Sequence, residues 1–383
     1  MDFTFTQEQQ QFADALRRWV DKDYSFDQRR KIIESSKGVS DAAWDGLAEL
    51  GMLALPVPAA QGGFDGTAVD MSLVMQEIGR GLIVEPYFST VLGAQFLKMA
   101  GDHAELLTQV AAGKLKLACA LGERHSRHEL RNIATTANAN ARGYRLDGVK
   151  TVVLHGAQAD ALIVSARSYG EVADCKGISL FVLASNTPGV TIRDYRTIDG
   201  QRAADITLNN VQLSYAALVD NCGAGWRILE TATDYGTALL CAEAVGAMDA
   251  IFGATLEYVK TRQQFGTPIG KFQALQHRLA EMFIELEQAR SMMLLAAVKV
   301  ASSDPEERRR MVSAAKVRVS QAARFIGQQA VQLHGGMGVT NELPAAHHFK
   351  RLTTIGVSLG DADHHLARFI AQDGFQSGAI DDA

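Results

Sequence analysis

Apolar residues recur at helical spacing in the first part of the chain. The first predicted helix covers residues 6–23, and Thr6 is its expected N-cap because a threonine hydroxyl can accept a hydrogen bond from the first turn. Its apolar face is formed by Phe12, Leu16, Trp19 and Val20. A second helix is expected around Trp44 and Leu47, and a third begins near Asp70, after a glycine-rich loop. The chain is therefore predicted to begin with a helical domain.

The pattern changes near residue 116. Short β-branched runs such as "ISLFVLAS" and "ADITLNNVQL" are separated by Gly, Asp and Asn, which is typical of antiparallel strands joined by turns. We therefore expect residues 116–222 to form an antiparallel, β-barrel-like middle domain.

Helical periodicity returns after Gly225. Long segments without internal proline and with short connections predict a four-helix bundle. The four segments are roughly 226–260, 272–301, 306–334 and 344–373. The predicted fold is thus α+β, with an N-terminal helical domain at 1–115, the middle β domain at 116–222 and the C-terminal bundle at 223–383.

Composition narrows the class of protein. The 383 residues are 47% hydrophobic and 21% charged, which is typical of a globular protein. The net charge of −5 does not indicate nucleic-acid binding. The four cysteines stand singly, which argues against a disulfide framework and against a zinc site. The N-terminus is polar, and no apolar run reaches the ~18–20 residues of a membrane span. We expect a cytoplasmic protein without a metal ion and without membrane insertion.

Glu243 is the one charged residue in the stretch "ALLCAEAVGAM", residues 238–248. A buried carboxylate is costly unless it is paired or protonated. One interpretation is a structural ion pair, with Arg278 or Arg324 as candidate partners. The other is a catalytic carboxylate.

Two C-terminal motifs are candidates for ligand binding. In "YVKTRQQFGTPIGKFQALQHRLAEM", Arg262, Phe265 and Gln273 surround a turn before a helix, an arrangement that suits a pyrophosphate attached to a ring system. The alternative is a simple helix–turn–helix with a basic flank. In "QLHGGMGV", the glycines either let a ligand approach the backbone closely or only cap a helix.

These motifs carry a family resemblance. Together with "ELGMLALPVPAAQGGFDG", the segments "RQQFGTPIGKFQ" and "QLHGGMG" resemble the acyl-CoA dehydrogenase family over nearly the whole chain. Within the family, "CAEAVGAM", "QARSM", "GQQAVQLHGG" and "GDADHHLAR" are similar to the small subunit of the pimeloyl-CoA dehydrogenase group, which assembles with a larger partner.

The resemblance implies a flavoprotein oxidoreductase with FAD as cofactor. Such enzymes desaturate an acyl-CoA thioester: a carboxylate removes the α proton, the β hydrogen leaves as hydride to flavin N5, and a carrier such as electron-transfer flavoprotein takes the electrons. The resemblance also implies a homo- or heterotetramer in which FAD contacts extend between subunits. The FAD contacts that it implies are Arg262, Phe265, Gln273, Gln332, Gly335 and Gly336.

The sequence departs from the family at the catalytic base. Leu359 stands where the family usually has its glutamate, and Gly236 stands at or near the family's second location for the base. Asp361 and Asp363 are weak substitutes, since they are shifted by two and four residues and Asp has a shorter reach. One of them is instead expected to cap the last helix, with His364 and His365 exposed. Glu243 lies seven residues beyond Gly236, on nearly the same helix face but about 10 Å further along.

The flavin-facing strand departs as well. The family's Trp-Ile-Thr reads Val-Val-Leu at residues 152–154, so hydroxyl donors toward the flavin are lost. This favours a small subunit that shares FAD with a larger partner. A self-sufficient dehydrogenase with Glu243 as an unusual base, and a flavin oxidase or monooxygenase, remain alternatives. The resemblance to the pimeloyl-type subunit suggests a dicarboxylic or bulky acyl chain as substrate. For Arg124, Arg127 and Arg131 there are two interpretations: they contact a distal carboxylate or the CoA phosphates, or they form an exposed basic face.

Overall fold

A computed structural model describes residues 5–371. The first six helices precede the sheet: α1 Gln7–Asp23, α2 Phe26–Glu34, α3 Asp41–Glu49, α4 Ala68–Gly81, α5 Tyr87–Ala100 and α6 Ala104–Ala111. Thr6 caps α1 as predicted, since its hydroxyl accepts a hydrogen bond from Gln9 N and the Gln9 side chain accepts one from Thr6 N. The face that turns inward contains buried Leu16 and Val20.

The middle of the chain forms one eight-stranded sheet within the described residues. Its strands are β1 Leu117–Ala120, β2 Thr136–Asn140, β3 Gly143–Leu154, β4 Ala161–Arg167, β5 Ile178–Ala184, β6 Val190–Arg196, β7 Arg202–Leu213 and β8 Leu218–Val219. They pair in the order β6-β7-β3-β2-β4-β5-β8, and β1 pairs with β4.

The prediction of an antiparallel, barrel-like domain is wrong in two respects. The sheet is mixed, because β1 runs parallel to β4, from the Leu117–Ala161 pair to the Ala120–Val164 pair. It is also open, since β6 and β8 stand at opposite ends of the strand order. Strand periodicity predicts which side chains face the core, but it carries no information about which strands become neighbours.

The remaining helices are α7 Trp226–Thr261, α8 Gln273–Lys299, α9 Pro305–His334, α10 Pro344–Val357 and α11 Ala362–Ile370. A two-residue hairpin, β9 Gln263–Gln264 with β10 Thr267–Pro268, separates α7 from α8. The last predicted helix of the four-helix bundle is therefore two helices, α10 and α11. The helix breaks because Leu359 and Gly360 have left-handed backbone, with φ of 52° and 109°.

The described residues pack as two compact units. One contains 5–26, 68–83 and 237–371, and the other contains 27–67 and 84–236, which includes the sheet. In the first unit, α4 and α7 touch backbone to backbone. A Cβ added at Gly246 would lie 1.8 Å from the Gln76 carbonyl oxygen, and one at Gly79 would lie 2.0 Å from that of Glu243. This backbone contact holds Glu243 in the buried interior of the unit.

Helix α7 has the length and composition of a membrane span, with a mean hydropathy of 1.5 over its most apolar window. However, 67% of that window is buried inside the fold, as in the core helix of a globular protein, so this one helix is weak evidence for a span.

Candidate functional site

The turn after α7 presents the first predicted ligand motif at the surface. Arg262 directly follows the helix, and its carbonyl accepts a hydrogen bond from Ile269 N at 2.9 Å, which closes the β9–β10 hairpin. Phe265 at the tip has a left-handed φ of 56° and is 91% exposed. Arg262 and Gln273 are exposed as well. An exposed guanidinium and an aromatic face are thus available to an anionic ring compound.

The end of α9 presents the second motif. Gln332 is exposed, and Gly335 ends the helix with a φ of 61°. A Cβ added at Gly335 or Gly336 would meet nothing within 4 Å, so the backbone there is open on one side. A ligand can therefore approach this backbone closely.

An aromatic contact joins the two motifs within one unit. The ring of Tyr258, one helical turn before Arg262, stacks on the ring of His334 with centroids 4.5 Å apart. The Tyr258 hydroxyl donates a 3.4 Å hydrogen bond to the His334 carbonyl, the residue just before Gly335. The spacing of these motifs along the sequence gives no sign of this contact. It places the arginine turn and the glycine-lined helix end side by side.

Glu243 is 2% exposed and forms a bidentate ion pair with Arg351 of α10, which is 4% exposed. The Nε–Oε1 distance is 2.6 Å and the Nη2–Oε2 distance is 2.8 Å. The suggested partners Arg278 and Arg324 are corrected to Arg351; Arg278 instead bonds Gln329. This geometry favours the structural interpretation of Glu243, because both carboxylate oxygens accept hydrogen bonds from a buried guanidinium.

The α10–α11 turn contains Leu359, the residue that the resemblance places at the family's base position. His365 donates from Nε2 to the Leu359 carbonyl at 2.9 Å and accepts at Nδ1 from the Ser313 hydroxyl at 3.3 Å, which corresponds to a neutral tautomer. Burial, followed by the charge of Lys316, lowers the pKa of His365 to about 3. His365 was expected to be exposed, but it is 2% exposed.

Asp361 acts as the predicted helix cap. Its side chain accepts a 2.8 Å hydrogen bond from His364 N at the start of α11. Sequence reasoning missed Lys316, a fully buried residue of α9 whose ammonium donates to the Ile355 carbonyl near the end of α10. Burial lowers the pKa of Lys316 to about 8. Lys316 therefore binds a backbone carbonyl near the end of α10, and His365 binds one within the α10–α11 turn.

The second unit has a buried polar cluster that sequence reasoning also missed. Lys150 of β3 is 0% exposed and contacts Glu123 Oε1 at 2.7 Å and Ser165 Oγ at 3.0 Å. Burial lowers the pKa of Lys150 to about 8, whereas the Lys150 charge and hydrogen bonds outweigh burial and lower the pKa of Glu123. Nearby Val152 is 62% exposed at an irregularity of β3. An exposed valine offers apolar contact but no hydrogen bond to a flavin.

The chain belongs to the acyl-CoA dehydrogenase family. Its N-terminal, middle and C-terminal domain models match residues 6–114, 118–213 and 223–372. The probable acyl-CoA dehydrogenase YngJ of Bacillus subtilis is 30% identical over 352 residues, covering 89% of this chain and 91% of the relative.

Solved structures agree with this assignment. One chain of the ChsE4–ChsE5 complex from Mycobacterium tuberculosis superposes with a TM-score of 0.86 at 28% identity, covering 96% of this chain and 97% of the other. The FAD complex of PigA shares the fold, with a TM-score of 0.89 at 24% identity, covering 98% and 100% of the two chains. FAD is the cofactor, as the resemblance implies. The open glycines and exposed Arg262 and Phe265 fit the dinucleotide end of FAD, whereas residues 152–154 give its ring no hydroxyl donor.

Proposed function

We propose that this chain is one subunit of a heteromeric FAD-dependent acyl-CoA dehydrogenase and contributes the dinucleotide end of a FAD site shared with a larger subunit. Bound FAD would supply the acceptor for the β hydrogen, which leaves the acyl thioester as hydride, and a carrier such as electron-transfer flavoprotein would take the electrons. In the chain itself, Arg262 contacts the diphosphate, Phe265 and Gln273 contact the adenine side, and Gln332, Gly335 and Gly336 form the adjoining backbone wall.

One observation carries the heteromeric assignment. The resemblance places Leu359 at the family's usual base position, and two of the candidate substitutes are engaged elsewhere, Glu243 with Arg351 and Asp361 with the α11 N-terminus. The third, Asp363, is exposed in the first turn of α11. A base for the α proton must be close to the carbon and able to accept a proton. The larger subunit therefore supplies the carboxylate. The fold match to a chain of the ChsE4–ChsE5 complex is compatible with this arrangement.

The proposal has further parts that come from the sequence and the family resemblance. The proposed assembly is a cytoplasmic heterotetramer in which FAD contacts extend between subunits; a homotetramer is the form expected for the self-sufficient alternative. The chain divides into domains at 1–115, 116–222 and 223–383. The acyl chain is dicarboxylic or bulky.

Co-purification tests the proposal. Expressed alone, the chain should purify without bound flavin, and co-expression with a larger acyl-CoA dehydrogenase subunit should give a yellow complex with both chains in fixed ratio. A yellow chain that desaturates acyl-CoA by itself would establish the self-sufficient alternative. Oxygen consumption with a non-thioester substrate would instead establish an oxidase or monooxygenase.

A further inference from the structure

His334, the last residue of α9, has one ring nitrogen that no protein group binds. The residue is only 5% exposed. Its Nδ1 lies 2.8 Å from the carbonyl oxygen of Ala330, one turn back in the same helix. Because a carbonyl oxygen only accepts, Nδ1 carries the proton, and the neutral ring presents an acceptor lone pair at Nε2. Among residues 5–371, Nε2 has no hydrogen-bond partner, and it is not one of the enclosed unpaired atoms, so it reaches the surface.

The free nitrogen of His334 points beyond the end of α9. The two nitrogens of an imidazole ring face nearly opposite sides, so an Nδ1 that points back along the helix leaves Nε2 pointing forward. Gly335 and Gly336 follow there, and a Cβ added to either would meet nothing within 4 Å. Buried polar atoms are normally hydrogen-bonded. Nε2 is therefore an acceptor that a ligand lying against this open backbone can satisfy.

Two helices hold the His334 ring in place. The ring of Tyr258 from α7 stacks on it, with centroids 4.5 Å apart and planes inclined by 29°. The Tyr258 hydroxyl donates to the His334 carbonyl at 3.4 Å, while the bond from Nδ1 to Ala330 fixes the rotation of the ring. An acceptor that is already ordered loses little conformational entropy when a ligand binds it.

The chemistry around Nε2 fits a nucleotide. Arg262 N donates to the Tyr258 carbonyl at 2.8 Å, so the Arg262 guanidinium begins one helical turn beyond the aromatic stack. Arg262 supplies charged donors for phosphate, whereas His334 supplies a neutral acceptor. A ligand that satisfies both must combine phosphate with hydroxyl or amino donors. In an adenine nucleotide, the ribose hydroxyls and the adenine amino group are such donors.

We propose that His334 is a specificity-determining residue of the dinucleotide site, and that its Nε2 accepts a hydrogen bond from a donor on the adenosine moiety of FAD, either a ribose hydroxyl or the adenine amino group. Tyr258 is the positioning residue that holds the ring. The inference rests on the proposed function for the identity of the nucleotide. It adds a contact that selects adenosine to the Arg262 contact, which any diphosphate would satisfy.

The test is calorimetric titration of the full chain with ADP, which has the adenosine and diphosphate of FAD. Three analogues each lack one donor: 2′-deoxy-ADP, 3′-deoxy-ADP and inosine diphosphate. Wild type is compared with His334→Phe, which retains an aromatic ring against Tyr258, and with His334→Asn, which retains a donor for Ala330. Neither side chain places an acceptor where Nε2 lies. His125→Phe, an exposed change in the other unit, is the control, and thermal unfolding verifies the folding of each variant.

In wild type, one analogue should bind about three- to tenfold more weakly than ADP, because one neutral hydrogen bond is lost, and that analogue identifies the donor. In both His334 variants, ADP affinity should fall by a similar factor, and ADP and that analogue should bind equally. A residue that only supports the fold would weaken ADP and its analogues alike and leave their ratio unchanged. The control should bind as wild type.

The positioning role of Tyr258 has its own readout. Tyr258→Leu removes the stack and should lower the ratio of ADP to analogue affinity, although His334 is intact. Tyr258→Phe retains the stack and should restore most of the ratio. The inference is overturned if wild type does not bind ADP, if no analogue binds more weakly than ADP, or if both His334 variants retain the wild-type ratio.

These results are distinguishable from the outcome for the proposed function. An ADP preference that disappears in the His334 variants, in a chain whose co-expressed complex cannot desaturate acyl-CoA, would retain the nucleotide contact and reject the enzyme. A complex that desaturates acyl-CoA, formed by a chain whose His334 variants keep the wild-type ratio, would retain the enzyme and reject the contact.

Discussion

Arg351 donates two hydrogen bonds to the carboxylate of Glu243, and both side chains are buried within one compact unit. Pairing explains how a carboxylate persists in an otherwise apolar helix. The pairing also favours a structural role for Glu243. A carboxylate that accepts hydrogen bonds at both oxygens joins α7 to α10 and is poorly placed to take a proton from a substrate.

Replacing Glu243 should reveal its structural role. Glu243→Gln leaves the Arg351 guanidinium buried without a counter-charge, so the free energy of unfolding should fall by about 3–5 kcal/mol in denaturant titrations. Glu287→Gln, an exposed change on α8, is the control and should have little effect. A Glu243→Gln protein with normal stability but no desaturation in the assembled enzyme would instead make Glu243 the catalytic base.

Arg262→Ala should weaken FAD retention about tenfold or more, because it removes a charge-assisted phosphate contact. Flavin fluorescence during dialysis of the assembled complex measures this loss. Arg278→Ala is one control, because it removes an exposed charge from the neighbouring α8. A folded Glu243→Gln protein is the other, because it leaves the residues at the dinucleotide end unchanged. Both controls should retain FAD better than Arg262→Ala does. Equal flavin loss from all three variants would contradict the assigned site.

Replacing two glycines of α7 by alanine should change the stability of the protein in opposite directions. Gly246→Ala places a Cβ against the Gln76 carbonyl, where a gap of 1.8 Å forces the helices apart, and should cost about 1–3 kcal/mol. Gly253→Ala meets nothing within 4 Å and should stabilise the helix by about 0.5–1 kcal/mol. Melting temperatures of the two variants test this, and equal shifts would rule out the backbone contact.

His365 should make stability depend on pH. Its pKa is about 3 in the folded chain against 6.5 for an ordinary histidine, so between these values the unfolded chain binds a proton that the folded chain does not. Stability from this residue is therefore complete above pH 6.5 and falls with decreasing pH, by up to about 1.4 kcal/mol per pH unit. Urea titrations at several pH values in this range give the free energy of unfolding of wild type and of His365→Gln. This free energy should fall more steeply with decreasing pH in wild type than in His365→Gln; an identical pH dependence would refute the buried neutral histidine.

Local chemistry in the sequence predicted much of the helical structure. Thr6, three residues before Gln9, is enough to place the start of α1, because a capping box depends only on neighbouring residues. Helical periodicity treated residues 344–373 as one segment and missed the break between α10 and α11, since Leu359 is not a residue type that normally marks left-handed backbone. The expected cap at Asp361 was the one signal that a helix begins there.

The motifs of the site could be recognised in the sequence, but their positions in space relative to one another could not. Arg262 and Gly335 could be selected from the sequence, whereas their proximity depends on the Tyr258–His334 stack between helices α7 and α9. Likewise, Glu123 and Lys150 are 27 residues apart, and only the strand pairing of the sheet brings them together. Such pairings arise from tertiary packing, which residue spacing does not contain.

The most direct test of the subunit assignment is an anaerobic titration of the purified chain, reconstituted with excess FAD, with a panel of acyl-CoA thioesters. The chain alone should leave the flavin absorbance unchanged, and the same titration of the complex with the larger subunit should bleach it. Bleaching by the chain alone would show that it contains its own base and would contradict the account.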